Sequence, residues 1–259
     1  MAHSPATYTA VMMLICDRSL SDYEIARRTS VPRATIQRWR RRAGILHARR
    51  PRSIGQSERR DAWTVRDSPA YCYLLGAYLG DGTVCITRGC AWLQIVNDRQ
   101  YQSISEEILT AMKTTFPDAR PRTHPSSVGE SDVLCITHPA VVRAFPQHGP
   151  GRKHLRPIIL EDWQLELTHA NPDCLIRGLI HSDGCRAENR FRTKLPSGRV
   201  AEYAYIRYFF SNLSADIRQL FIDRCELLGI RVTQSNHRNL SVSHRDSVAI
   251  LERIVGPKG

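Results

Sequence analysis

The chain repeats itself, and that repeat limits its fold more than any other feature. Ser68-Pro69-Ala70-Tyr71-Cys72-Tyr73-Leu74-Leu75-Gly76-Ala77-Tyr78-Leu79-Gly80-Asp81-Gly82 lines up with Asn171-Pro172-Asp173-Cys174-Leu175-Ile176-Arg177-Gly178-Leu179-Ile180-His181-Ser182-Asp183-Gly184, with Asp81 and Asp183 102 residues apart. Each copy opens on an N-cap residue with proline at the first helical position and runs apolar for about three turns. Each stops at Asp-Gly, where the glycine is suited to a left-handed cap. Both copies therefore read as helices ending in a carboxylate. Alternating strands at Thr83 to Thr87 and Trp92 to Val96, a helix from Ser103 to Phe116 and a strand at Val133 to His138 follow the first copy. A longer hairpin, a helix from Ala215 to Leu228 and a strand at Leu240 to His244 follow the second. Lys153 lies 72 residues after Asp81 and Lys258 lies 75 after Asp183, in a chain with four lysines.

The nonamers Leu74 to Gly82 and Ile176 to Gly184 resemble the two motifs of the LAGLIDADG homing endonuclease family, and the resemblance covers residues 66–259. It implies an α+β fold of two pseudo-symmetric αββαββα halves, about 66–165 and 166–259, forming a saddle on double-stranded DNA. Such a body is a monomer through its internal pseudo-twofold. The resemblance makes Asp81 and Asp183 the metal ligands, with Mg²⁺ or Mn²⁺ as cofactor. Lys153 and Lys258 become the basic residues that stabilise charge on the scissile phosphates. One departure stands out: the first acidic position of the motif is Leu79 in one copy and His181 in the other.

The residues supply their own reason for the arrangement. Helices approach closely only where contact positions are small, and Gly76 with Gly80, and Gly178 with Ser182, recur four apart on one face. That packing sets Asp81 and Asp183 at two neighbouring helix C-termini, where the dipole and the other carboxylate both disfavour negative charge. A hard divalent cation relieves both.

The charge is uneven. The first 65 residues hold 13 arginines against 5 acidic residues, so they carry +8 of the net +12. A field of that sign favours a polyanion. Residues 1–45 read as a small all-α domain, 46–65 as a basic linker and 66–259 as the body. Ser21 to Glu24 has the form of a capping box, a second helix runs to about Thr29, and Pro32 opens a third. Ile25, Val31, Ile36 and Trp39 have the spacing of a shared core. This leaves Arg33, Gln37, Arg38, Arg41 and Arg42 on other faces, as in a helix-turn-helix whose last helix enters the major groove. In the second hairpin Arg186, Arg190, Arg192 and Lys194 alternate with apolar residues, and Arg199, Tyr203, Tyr205 and Arg207 share a face of the returning strand. Both faces suit a DNA groove.

No segment reaches about 18 consecutive apolar residues and the start lacks a signal-peptide pattern, so a cytoplasmic, nucleoid-associated protein with no membrane partner is expected. Eight cysteines without a C-x-x-C pair read as reduced thiols rather than zinc ligands. The leading Met, with no leading Cys or terminal His-Asn, argues against an intein. Two functions fit: a metal-dependent, sequence-selective DNA endonuclease, or a non-catalytic transcriptional regulator built on a LAGLIDADG scaffold.

Overall fold

The computed structural model describes residues 4–16, 20, 22–43, 63–87, 90–127 and 129–256, with Pro5 and Arg41 described in backbone only. The chain divides into two compact units, Met1–Ile54 and Gly55–Gly259. Most of the linker expected at 46–65, the capping Ser21 and Lys258 lie outside the described residues.

The first unit holds α1 (Pro5–Cys16), α2 (Asp22–Thr29) and α3 (Arg33–Arg42). Val11, Ile15, Ile25, Val31, Ile36 and Trp39 are its buried apolar residues, and Tyr8 packs edge-on against Trp39 at 4.8 Å. The break between α2 and α3 centres on Ser30, which adopts φ 56. The Pro32 carbonyl accepts from the N–H groups of Thr35 and Ile36. Pro32 therefore precedes α3 rather than opening it. Arg40, on α3, is buried and donates from Nε to Asp22 Oδ1 at 3.0 Å and from Nη1 to the Ile15 carbonyl at 3.1 Å. One guanidinium thus ties all three helices together.

The second unit begins its first half with α4 (Ser68–Asp81), β1 (Gly82–Thr87), β2 (Cys90–Asp98), α5 (Gln102–Thr115), β3 (Arg122–Pro125), β4 (Ser131–Thr137) and the single turn α6 (Val141–Ala144). A 3-10 turn at Lys153–Leu155 and helix α7 (Asp162–Ala170) lead into the second half. That half comprises α8 (Pro172–Asp183), β5 (Gly184–Lys194), β6 (Val200–Ser211), α9 (Ala215–Leu227), β7 (Thr233–Gln234), β8 (Asn239–Val242) and α10 (Arg245–Val255). Each half builds one four-stranded antiparallel sheet, in the orders β1-β2-β4-β3 and β5-β6-β8-β7. The architecture is α+β with the same αββαββα order twice, and α7 is an addition that the repeat does not announce. One apolar core runs through both halves, from Tyr71 to Val255, with Trp63 and Val65 packed at its margin. No helix among the described residues is long and apolar enough to cross a membrane.

The ends of the repeated helices differ in detail from the sequence expectation. Asp67, not Ser68, caps α4, accepting from the Ala70 N–H at 2.9 Å. Gly82 and Gly184 are extended, at φ −89 and −101, rather than left-handed. Glycine is needed there for clearance: a Cβ would lie 2.5 Å from Tyr78 Cα in the first copy and 2.6 Å from Ile180 Cα in the second. The chain leaves each helix by turning back tightly over its own last turn.

Candidate active site and nucleic-acid face

Helices α4 and α8 meet backbone to backbone. A Cβ on Gly76 would fall 2.5 Å from the Leu175 carbonyl oxygen and 2.8 Å from the Leu179 nitrogen, and one on Gly178 would fall 2.1 Å from the Tyr73 carbonyl oxygen. One turn further on, a Cβ on Gly80 would lie 2.1 Å from Ser182 Oγ and 3.2 Å from Asp183 Oδ2. The last turn of α4 thus abuts the carboxylate that ends α8. Ser182 turns its hydroxyl back to its own helix, donating to the Gly178 and Leu179 carbonyls at 3.0 Å each.

Lys153 reaches this junction from the segment joining the halves. Its ammonium donates to three carbonyls at the end of α4: Tyr78 at 2.5 Å, Leu79 at 2.9 Å and Gly80 at 2.6 Å. Helix ends leave carbonyls such as those of Leu79 and Gly80 short of intrahelical donors, that of Tyr78 also accepts from the Gly82 N–H, and a cation there offsets the negative end of the dipole. Burial pushes the Lys153 amine down to about 8; Asp183 and Asp81 pull against that shift and Arg156 adds to it. Both carboxylates are therefore within electrostatic reach of one ammonium. Asp81 is exposed and Asp183 half-buried. Asn212, just beyond β6, donates from Nδ2 to Asp183 Oδ2 at 2.6 Å.

Asn212 was not apparent from composition or motif. Its counterpart in the first half is Asn97, since Gly82 pairs with Ile95 and Gly184 with Phe210. Asn97 spends its amide on the Asp98 and Tyr101 carbonyls and on Ser105 Oγ. Two asparagines at matched positions would have shown in a self-comparison extended past the motifs. His181, at the departed acidic position, is buried and engaged on both nitrogens. Nε2 donates to the Val255 carbonyl at 3.1 Å, which leaves Nδ1 to accept from the Tyr73 hydroxyl at 3.0 Å. Beside it Arg177 forks onto Glu107 at 2.6 and 2.8 Å and donates to the Ile254 carbonyl. These groups hold α8 to α5 and α10, and none is open to a substrate proton.

Among the described residues no cluster of three or more His, Cys, Asp or Glu could enclose a metal. Two carboxylates at adjoining helix ends still suit a Mg²⁺-like ion, which keeps several waters and takes the rest of its shell from substrate phosphates.

The strand register separates the basic residues expected to face DNA. In the first sheet Leu93, Ile95, Leu134 and Ile136 are buried under the helices, leaving Trp92, Gln94 and Val96 on the open side. In the second sheet Arg186 lies opposite buried Tyr208, and both bond Glu252 Oε1 of α10, at 2.8 and 2.9 Å. Arg186 is thus on the helix side, and alternation places Arg190, Arg192 and Lys194 there too. Arg190 pairs with Glu188 at 2.9 Å and Arg192 with Glu202. The open side instead carries Arg207, Tyr205 and Tyr203 from β6, facing Ala187, Asn189 and Phe191 of β5. Arg207 lies over the Phe209 ring at 4.8 Å and donates to Ser241 Oγ. Arg199 sits in the turn, where its carbonyl accepts from Leu195 N–H. The two groups of basic residues occupy opposite faces, because in this register Arg207 pairs with Ala187, which points away from the face of Arg186, Arg190, Arg192 and Lys194. In the first unit Arg33, Arg38 and Arg42 are exposed and Gln37 is half-buried.

No family model matches the chain, and no curated protein matches it. Solved structures do. The LAGLIDADG meganuclease I-AabMI bound to uncleaved DNA is 13% identical over 71% of this chain and 82% of its own, with a TM-score of 0.46. I-DmoI in complex with DNA and Mn is 15% identical over 73% of this chain and 98% of its own, at 0.47. The homing endonuclease I-WcaI bound to its DNA recognition sequence is 13% identical over 80% and 89%, also at 0.47.

Proposed function

We propose that the chain is a LAGLIDADG-type, sequence-selective DNA endonuclease that holds a duplex against its two open sheet faces and hydrolyses phosphodiester bonds at Asp81 and Asp183. The abutment of the last turn of α4 on the Asp183 carboxylate carries this reading. Packing alone would be served by helices ending in any small residue, whereas here Asp183 lies against the last turn of α4 and both Asp183 and Asp81 act electrostatically on the Lys153 ammonium. A divalent cation held by Asp81 and Asp183 would polarise the scissile phosphate and lower the pKa of a bound water. Lys153 contributes fixed positive charge beside the phosphates, and Asn212 fixes the orientation of the Asp183 carboxylate. The first unit acts as a helix-turn-helix reader, with Arg33, Gln37, Arg38 and Arg42 of α3 toward the groove. Those arginines that meet only phosphate position the protein, and those that meet base edges specify its site.

The test is incubation of purified protein with a library of duplexes, with Mg²⁺, Mn²⁺ or chelator, beside Asp81→Asn and Asp183→Asn. Cutting that needs the metal and is lost in both variants supports the reading. Undiminished binding with no cutting under any metal refutes the nuclease and leaves a DNA-binding regulator.

A further inference from the structure

The second hairpin is longer than the first and presents an unusual face. β5 and β6 pair over 11 rungs from Gly184↔Phe210 to Lys194↔Val200, whereas β1 and β2 pair over 6. The five further rungs reach about 17 Å beyond the point where the first hairpin ends its pairing, the length of roughly five base-pair steps. On these five rungs the charged side chains, Arg190, Arg192, Lys194 and Glu202, all project to the helix side. The open side of the extension holds Phe191, Tyr203, Thr193 and Ala201, with Tyr205 on the same face one rung before it. Phe191 stacks on Tyr203 with centroids 5.2 Å apart and planes 20° apart, and meets Tyr205 edge-on at 6.1 Å.

A cross-strand aromatic pair stabilises a hairpin by a fraction of a kcal/mol, but that role does not require exposure. These rings remain 45%, 43% and 38% exposed. An uncharged, ring-and-methyl face on an outstretched ribbon, in a chain of net charge +12, is matched to the one apolar feature of a major-groove wall, the thymine C5-methyl group. Closer to the active site the same face changes character, with Arg207 and Asn189, whose side chains suit guanine and adenine edges.

We infer that the Phe191, Tyr203 and Tyr205 face of the β5–β6 hairpin reads thymine methyl groups at the outer end of one half-site only, so that the target is asymmetric, with a thymine-rich outer arm on the side of the second repeat. This rests on the duplex-DNA reading above and adds to it a base class and a side.

The experiment selects duplexes that the full chain binds from a randomised pool, then replaces each outer thymidine by deoxyuridine, which removes the methyl and keeps every hydrogen-bonding group. Thymine enrichment on a single outer arm is expected, with affinity falling about fourfold per methyl removed there and unchanged for substitutions on the other arm. The double variant F191S/Y203S should bind the deoxyuridine duplex as the wild-type chain does and gain nothing from restored thymine. Equal affinity of wild-type protein for thymidine and deoxyuridine duplexes, or enrichment on both arms, overturns the inference while leaving DNA binding intact. Failure to select any duplex overturns both.

Discussion

The Tyr73 carbonyl of α4 occupies the space that a side chain on Gly178 of α8 would need, with only 2.1 Å between that oxygen and a Cβ built on the glycine. Alanine at a mid-helix position ordinarily gains about 1 kcal/mol over glycine. Here the clash is with backbone, which cannot rotate away, and overpacking costs typically 1–3 kcal/mol or more. Gly178→Ala should therefore destabilise the second unit by roughly 2 kcal/mol or more in urea titration. Gly149→Ala, whose Cβ would have Arg156 side-chain atoms at 3.6 Å as its nearest neighbours, should stay within about 0.5 kcal/mol. Equal effects for the two would mean that α4 and α8 are farther apart than described.

In the first unit the buried Arg40–Asp22 pair has a different energetic logic from the arginines around it. Removing one partner leaves the other charge buried, at a cost of about 3–5 kcal/mol. Arg40→Met should sharply raise amide exchange over residues 22–42 while leaving residues 68–81 protected. Arg38→Ala, at an exposed position, should leave exchange unchanged and weaken DNA binding. If Arg38→Ala unfolds the unit, its role is structural rather than in the groove.

Much of this architecture could be read from the repeat, because a period of 102 residues with matched strands, helices and Asp-Gly ends leaves few ways to fold. The close packing of Gly76 and Gly178 followed from side-chain size alone. What stayed hidden depends on register. Alternation identifies two faces of a strand but not which one meets the helices, and Arg186 looked suited to a groove until its position opposite Tyr208 placed it beside Glu252. The inward turn of Arg40 to Asp22 was hidden for a similar reason, since a run of arginines in a helix gives no sign of which one meets a buried carboxylate. Asn212 gave no motif signal because it meets Asp183 through a single hydrogen bond across the fold.

Lys153 gives a pH signature. Its amine lies near 8 in the folded chain, chiefly through burial, against an ordinary value of about 10.4. Between those values the unfolded chain binds a proton that the folded chain does not, so this residue's contribution to stability rises with pH across that window. In chelator, the stability of wild-type protein relative to Lys153→Met should increase from about pH 7.5 to about pH 10. Groups common to both proteins cancel in that difference. A difference that does not change with pH would show that the ammonium at the end of α4 is not desolvated.

The opposed faces of the second hairpin make the last prediction, which separates charge that meets DNA from charge that does not. Arg207 lies on the open side, stacked on Phe209, whereas Arg190 and Arg192 lie on the other side with Glu188 and Glu202 as partners. Replacing an arginine that contacts a base costs about 1–3 kcal/mol, and replacing one that contacts phosphate lowers the salt slope by about one. Arg207→Ala should therefore weaken duplex binding at least about fivefold, measured by fluorescence anisotropy across a salt series. Arg190→Ala and Arg192→Ala should each change it less than about threefold and leave the slope of log K against log salt unaltered. The reverse ranking would place the duplex on the helix side of the sheet, where α10 and Glu252 already occupy the surface beside Arg186.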